Sequence, residues 1–279
     1  MHRAMFVTDL DGTLLRGGQL SSGDLTALEG LRSGGVVTAV ATGRSLFSFS
    51  RQMADLILPL DYLVLSSGAC ILDNATGELM HGESMSGEQA GAAVEALLRL
   101  QLDFALHEEV PQNHRFLHSL RSGSNPDMEH RIRLYAGHCR PLAGGAVPSN
   151  CSQLVAIVPP GGGTRPLEAV LDALGDDYSV LRTTSPLDGE SLWIEIFPMG
   201  VCKSSGASWL AERVGVDPAS TAAVGNDWND LDLLDWAAVP FVIDGSPPGL
   251  SEGRRTVRSV SDAAACWLET CRSPRGDAS

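Results

Sequence analysis

Short apolar runs separated by stretches of helical spacing constrain this chain more than any other feature of its sequence. Met5–Thr8, Val36–Ala41 and Tyr62–Leu65 lack the polar alternation of a sheet that faces water. Strands buried on both faces read this way, and they belong to parallel sheets covered by helices. Between the first two runs, Leu25, Leu28 and Leu31 recur at helical spacing until Gly34-Gly35 stops them.

The pattern then breaks and later resumes. Ser86-Gly87-Glu88-Gln89 has the form of a capping box, opening a helix through Ala92, Ala93, Leu97 and Leu98. Residues 111–150 are less regular and rich in His, Arg and Gly. Beyond them come a strand at Leu154–Val158, a loop at Pro159–Gly163, a helix started near Pro166, and strands around Val180 and at Trp193–Phe197. From Lys203 the first pattern returns. A helix carries Trp209, Leu210 and Val214 and stops at Gly215; a strand at Ala222–Val224, a helix at Leu231–Trp236 and a last strand at Pro240–Ile243 follow. Ser273–Ser279 reads as a frayed end. The expectation is an α/β fold: a doubly wound parallel-sheet core from residues 1–82 and 189–279, interrupted by an α/β domain over 83–188.

Charge narrows the partners. A net charge of -14 and a pI near 4.8 repel nucleic-acid backbones and anionic membranes. The same charge repels an anionic substrate, so any phosphate site here needs local cationic groups or a metal. The apolar run before Asp9 is too short for a secretory leader, and no stretch reaches the roughly 18–20 apolar residues of a membrane helix. Six scattered cysteines, Cys70, Cys139, Cys151, Cys202, Cys266 and Cys271, form no C-x-x-C pair and read as idle thiols of a cytoplasmic protein.

Four segments carry chemistry, three of them at strand ends. Asp9-Leu10-Asp11-Gly12-Thr13 follows the first strand, and residues two apart on extended chain project to one side. In open parallel sheets ligands bind at the carboxyl ends of strands, where this pair falls. Two close carboxylates favour a cation between them, and hard oxygen ligands favour magnesium. An Asp11-Gly12 hairpin is the plainer alternative, but the following residues read as neither hairpin nor antiparallel strand. Thr42-Gly43-Arg44 follows the second strand; taken alone it reads as a helix N-cap, and it could equally offer N–H groups and a hydroxyl to a phosphoryl oxygen. Lys203, the chain's only lysine, stands before a helix. Gly225-Asn226-Asp227-Trp228-Asn229-Asp230 places oxygen donors where another strand ends.

In their order and spacing these segments resemble the haloacid dehalogenase superfamily, and more narrowly its Cof-type sugar-phosphatase branch, whose α/β cap sits between the second and third motifs. Ser66-Ser67-Gly68-Ala69 is similar to that branch's Asn-Gly-Ala loop, with serine where asparagine is usual. The resemblance implies a magnesium-dependent phosphatase acting on a small phosphate ester, a sugar or polyol phosphate. Asp9 would be the nucleophile, giving an aspartyl-phosphate, and Asp11 the general acid and base. Thr42, Gly43, Arg44, Ser67, Gly68, Lys203 and Asn229 would form the phosphate and substrate side. Magnesium would be held by Asp9, the Asp11 carbonyl and the Asn226, Asp227 and Asp230 segment. One departure stands out: the branch has aspartate at position 226. Either Asn226 replaces the direct ligand or Asp227 moves into it with Asp230 behind, and the reading favours Asp227 as the essential acid.

The inserted domain would close over the active site and set specificity. Its residues 111–150 carry Arg115, Arg121, Arg131, Arg133 and Arg140 against Asp127 and Glu129, either as a solvated face or as contacts to an anionic substrate. His114 and His118 have i, i+4 spacing, but their segment does not read as helix, so no second metal is assigned. A phosphomutase or phosphotransferase of the same superfamily, and a catalytically weak binding module, are the alternatives. A monomer is the default, with a dimer left open.

Overall fold

The computed structural model describes residues 3–54, 56, 58–143, 147–185 and 187–272. Two compact units emerge: one from Met1–Gly43, Asp55–Met80 and Lys203–Ser279, the other from Arg44–Ala54 and His81–Cys202.

The first unit is built on an eight-stranded sheet. Its order is Arg255–Val257, Val239–Ile243, Val216–Gly225, Arg3–Asp9, Val37–Ala41, Tyr62–Leu65, Cys70–Asp73 and Leu79–Gly82. The first six strands run parallel, and Cys70–Asp73 turns back antiparallel on Tyr62–Leu65. Met5, Phe6 and Val7 are fully buried, so consecutive residues on opposite faces both leave water. Each such side chain contributes about 1.5–3 kcal/mol, which is why the strand's sequence shows no alternation. Met5 and Val7 pack with Ala207, Leu210, Leu233 and Leu234 from the helices Lys203–Val214 and Leu231–Trp236. Phe6 meets Trp267 of the helix Val260–Arg272, ring centroids 5.7 Å apart. Helices thus cover both faces, as expected of a doubly wound sheet.

Two local details differ from the sequence reading. A short hairpin, Leu15–Arg16 with Gln19–Leu20, does follow the first motif, turning at Gly17-Gly18, both with positive φ. Strands of two residues are too short to show alternation, so the sequence hides them. Arg255–Val257 also adds a strand beyond Val239–Ile243, which therefore is not the last.

The second unit has a six-stranded sheet in the order Cys139–Pro141, Phe116–Ser119, Asp103–His107, Gln153–Val158, Leu192–Pro198 and Tyr178–Thr184, antiparallel except for its first pair. One face is covered by the helices Gly87–Arg99 and Arg165–Leu174. The helix Pro126–Leu134 packs on the other through Met128, beside Phe116, Tyr135 and Trp193. The boundary expected at residue 189 lies instead at Lys203. Leu192–Pro198 hydrogen-bonds along its whole length to Tyr178–Thr184, which makes it part of the second sheet. Residues 44–54, with the helix Leu46–Met53, also group with this unit.

The stretch 111–150 is more ordered than its composition suggests. Asn125 caps the helix Pro126–Leu134, accepting from Met128 N at 3.1 Å, with Pro126 at its start. Of the five arginines, Arg131 is buried, its guanidinium carbon 4.6 Å from the Trp193 ring centroid, and the other four are exposed. His114 stacks on Phe47 with centroids 4.6 Å apart, while His118 lies on a strand, so the pair shares no helix face. Cys70, Cys139, Cys151, Cys202 and Cys266 form no disulfide. The Cys271 side chain and the tail 273–279 lie outside the described residues. Among the described residues no helix is long and apolar enough to cross a membrane.

Candidate active site

Register brings the motifs of the first unit together. Asp9 ends the strand Arg3–Asp9 and pairs with Ala41, while Thr8 pairs with Val224. Thr42 therefore follows the neighbouring strand on one side, and Asn226 follows the strand on the other. Three carboxyl ends converge, with Asp9 in the middle.

Lys203 opens its helix below this point. The packing is close because of Gly206: a Cβ there would lie 2.7 Å from Val64 Cγ1 and 2.9 Å from Gly68 Cα. The Asp232 carboxylate accepts from Ser204 N at 2.6 Å and fixes the start of the helix. Lys203 Nζ donates to Asp9 Oδ1 at 2.7 Å and to Asp230 Oδ1 at 2.5 Å, with all three side chains buried. Asp230 Oδ2 accepts from the N–H groups of Asn226 at 2.8 Å and Asp227 at 3.1 Å, which pins the loop after the strand.

The electrostatics follow from burial. Desolvation, with help from the Asp230 charge, pushes the Asp9 carboxyl up to about 7, against the pull of Lys203. Burial opposes the Lys203 charge as well, but the Asp230 and Asp9 carboxylates outweigh it and raise its pKa. One ammonium thus faces two buried carboxylates, an arrangement with a deficit of positive charge.

Geometry separates Asn226 from Asp227. Asn226 turns its amide toward the first motif, its oxygen accepting from Thr13 Oγ1 at 2.8 Å. That same amide corner lies 2.8 Å from the Asp11 carbonyl oxygen and 3.2 Å from Asp9 Oδ2. Gly12, at φ +86°, makes the approach feasible: a Cβ there would come within 2.4 Å of Asn226 Nδ2. Asp227, favoured from the sequence, points elsewhere. Its Oδ1 accepts from Trp228 N at 2.7 Å and caps the turn Trp228–Asp230. That capping bond makes Asn226, rather than Asp227, the residue facing Asp9.

Three oxygens of a hard, uncharged-to-anionic set therefore gather here: Asp9 Oδ2, the Asp11 carbonyl and the Asn226 amide. Adjacent ligands of an octahedral magnesium at 2.0–2.1 Å stand about 2.9 Å apart, close to these spacings. The donors fit magnesium. Among the described residues no three His, Cys, Asp or Glu side chains form a metal cluster, since only one of these oxygens belongs to a carboxylate.

The remaining candidates divide. Thr42 is buried, donates its N–H to the Val64 carbonyl at 2.9 Å and accepts from Ser67 N at 3.0 Å. The helix that follows is capped by Ser45, not Thr42, so the simple capping reading fails for Thr42. Ser66 and Ser67 hold φ of 50° and 55°, a left-handed backbone unusual for serine, just before Gly68. Gly43 lies beside Ser67, and Asn229 sits half-buried on the Trp228–Asp230 turn. The Asp11 side chain is exposed beside buried Asp9. Arg44 belongs to the second unit, where its Nη1 donates to Ser48 Oγ at 3.3 Å. Thr13, Gly206 and Asp232 were not singled out from the sequence. A glycine in the first turn of a helix was the one available signal, for Gly206.

Known proteins resemble this chain over most of its length. The family model for haloacid dehalogenase-like hydrolase matches residues 6–127 and 170–257. The phosphatase-named protein YxeH of Bacillus subtilis (strain 168) is 22% identical over 259 residues, covering 89% of this chain and 90% of its own. A phosphoglycolate phosphatase of Pyrobaculum aerophilum is 25% identical over 261 residues, covering 91% and 88%. Among solved structures, a haloacid dehalogenase-like hydrolase from Bacteroides thetaiotaomicron superposes with a TM-score of 0.71 at 16% identity, over 96% of this chain and 99% of that one. A subclass IIB sugar phosphatase superposes at 0.72 with 15% identity, over 96% and 99%.

Proposed function

The chain belongs to the haloacid dehalogenase-like hydrolase family, and from that premise we propose that it is a magnesium-dependent phosphatase of small phosphate monoesters, with sugar or polyol phosphates as the first class to test. The observation that carries the reading is Lys203 Nζ held 2.7 Å from Asp9 Oδ1 at the carboxyl end of the central strand. The names of curated phosphatases aligned over most of their length support it, and the sugar-phosphatase neighbour motivates the substrate class.

In this mechanism an Asp9 carboxylate oxygen attacks phosphorus in line, and the ester oxygen leaves as the alcohol. Asp11 donates the proton to that leaving oxygen and then takes one from the water that hydrolyses the aspartyl-phosphate. The Asp11 side chain is exposed, whereas Asp9 is buried. Lys203 holds Asp9 in place and opposes the burial that raises its pKa. Thr42 and Ser67, the latter on the Ser67-Gly68 turn, offer hydroxyls to the phosphoryl oxygens, with Gly43 leaving them room. Asn229 is assigned to the substrate side. Asp9, the Asp11 carbonyl and Asn226 would hold the cation, with Asp230 positioning Lys203 behind them. Magnesium, when bound, neutralises phosphoryl charge that this acidic chain would otherwise repel. Substrate choice is assigned to the second unit.

The test is phosphate release from a panel of sugar phosphates, polyol phosphates and p-nitrophenyl phosphate, with magnesium or with chelator. The expected result is release that needs magnesium and disappears in Asp9→Asn. A folded wild type that releases nothing from any ester, or an Asp9→Asn that stays active, overturns the reading.

A further inference from the structure

Asn226 has an unusual set of neighbours for an amide. The corner that carries its oxygen accepts from Thr13 Oγ1 but also faces the Asp11 carbonyl and, as a carboxylate, Asp9 Oδ2, which are acceptors. With the amide turned by half a rotation, the nitrogen in that corner donates to Asp9 Oδ2 at 3.2 Å, to the Asp11 carbonyl at 2.8 Å and to Thr13 Oγ1 at 2.8 Å. The two orientations satisfy opposite environments. With a cation present the oxygen belongs in the corner; without one, the NH2 group does. The terminal torsion of asparagine is broad and roughly two-fold, so both are conformationally open.

An aspartate at this position could not behave so. It would add a further anion beside Asp9 and Asp230, where Lys203 is the one ammonium within reach of both among the described residues. It would bind a cation more strongly and would leave the cation-free site in electrostatic repulsion.

We propose that Asn226 is a reversible latch on the cation site: its NH2 group closes the cation-free site across Asp9, Asp11 and Thr13, and its oxygen becomes a ligand when magnesium enters. This rests on the reading that magnesium binds at Asp9. The chain thereby exchanges cation affinity for a cation-free state that is stable by itself. Gly12 is part of the device, because any side chain there would occupy the space the amide turns in.

The experiment is a magnesium titration by calorimetry, with thermal melts in chelator and in saturating magnesium, for wild type, Asn226→Asp and Asn226→Ala. Asn226→Asp is expected to bind magnesium at least tenfold tighter and to melt lower than wild type in chelator, by about 2–4 °C. Asn226→Ala, which loses donor and acceptor together, is expected to fall in both. In a 15N–1H spectrum, the one side-chain NH2 pair missing from Asn226→Asp should shift when magnesium is added to wild type. If wild type binds magnesium but Asn226→Asp gains no affinity and melts as wild type in chelator, the latch is overturned while the phosphatase reading stands. If wild type binds no magnesium yet releases phosphate, the cation reading and the latch fall together.

Discussion

His107 Nε2 accepts from Arg131 Nη2 at 3.2 Å in the interior of the second unit, while His107 Nδ1 donates to the Asn113 carbonyl at 2.6 Å. The imidazole is thus held neutral with its proton on Nδ1. Burial first, and then the Arg131 charge, push its pKa from 6.5 to about 3. The unfolded chain takes up a proton below about 6.5 that the folded chain refuses, so stability falls as pH drops from 6.5 toward 3 and is full above 6.5. Melting temperature measured across that range should decline more steeply in wild type than in His107→Gln. Equal slopes would show that another group carries the acid sensitivity.

Lys203→Met should do more than remove activity. It leaves Asp9 and Asp230 buried side by side without their shared ammonium. Breaking a buried pair in this way costs about 3–5 kcal/mol, far above the ~1 kcal/mol of an exposed one. Chemical denaturation in chelator should register that loss. Lowering the pH to protonate a carboxylate should recover part of it, and a variant as stable as wild type at neutral pH would refute the account.

Gly206→Ala tests positioning without touching a reacting group. The new methyl meets Val64 Cγ1 at 2.7 Å and, less forgivingly, the Gly68 backbone at 2.9 Å. Overpacking of this kind costs about 1–3 kcal/mol, and relief requires the helix that carries Lys203 to move outward. Misplacement near 1 Å can cost ~100-fold in rate. The variant should therefore lose kcat more than KM in steady-state assays; a change confined to KM would argue that Lys203 has not moved.

Ser86→Ala is the control in the second unit. Ser86 Oγ accepts from Gln89 N at 3.2 Å, and Gln89 Oε1 accepts from Ser86 N at 3.0 Å, a complete capping box. Its loss should destabilise by about 1 kcal/mol with kcat unchanged, measured by denaturation and phosphate release on one preparation.

Why some of this was legible in the sequence and some was not has a physical basis. The runs at Met5–Thr8 and Tyr62–Leu65 announce themselves because burial on both faces leaves no polar positions. The capping box at Ser86 is local chemistry, readable from four residues. The helix Pro126–Leu134 was hidden because its buried positions include Asp127 and Arg131, whose partners Trp193 and Ser185 lie far along the chain. Leu192–Pro198 was readable as a strand, but periodicity does not say which sheet a strand joins. At the site, the order of motifs pointed to Asp9 and Lys203. Choosing between Asn226 and Asp227 required knowing that Asp227 caps the turn Trp228–Asp230 while Asn226 faces Asp9, which the order of residues alone does not say.

The pairing of Arg3–Asp9 with Val216–Gly225 also has a consequence during synthesis. Asp9 and Lys203 are 194 residues apart, so at about 5–20 residues per second the proposed nucleophile waits roughly 10–40 s on the ribosome before its lysine is made. The central strand spends that interval with one edge open, until Val216–Gly225 emerges to close it. The nascent chain can complete its inserted unit first, and the candidate site is among the last features to form.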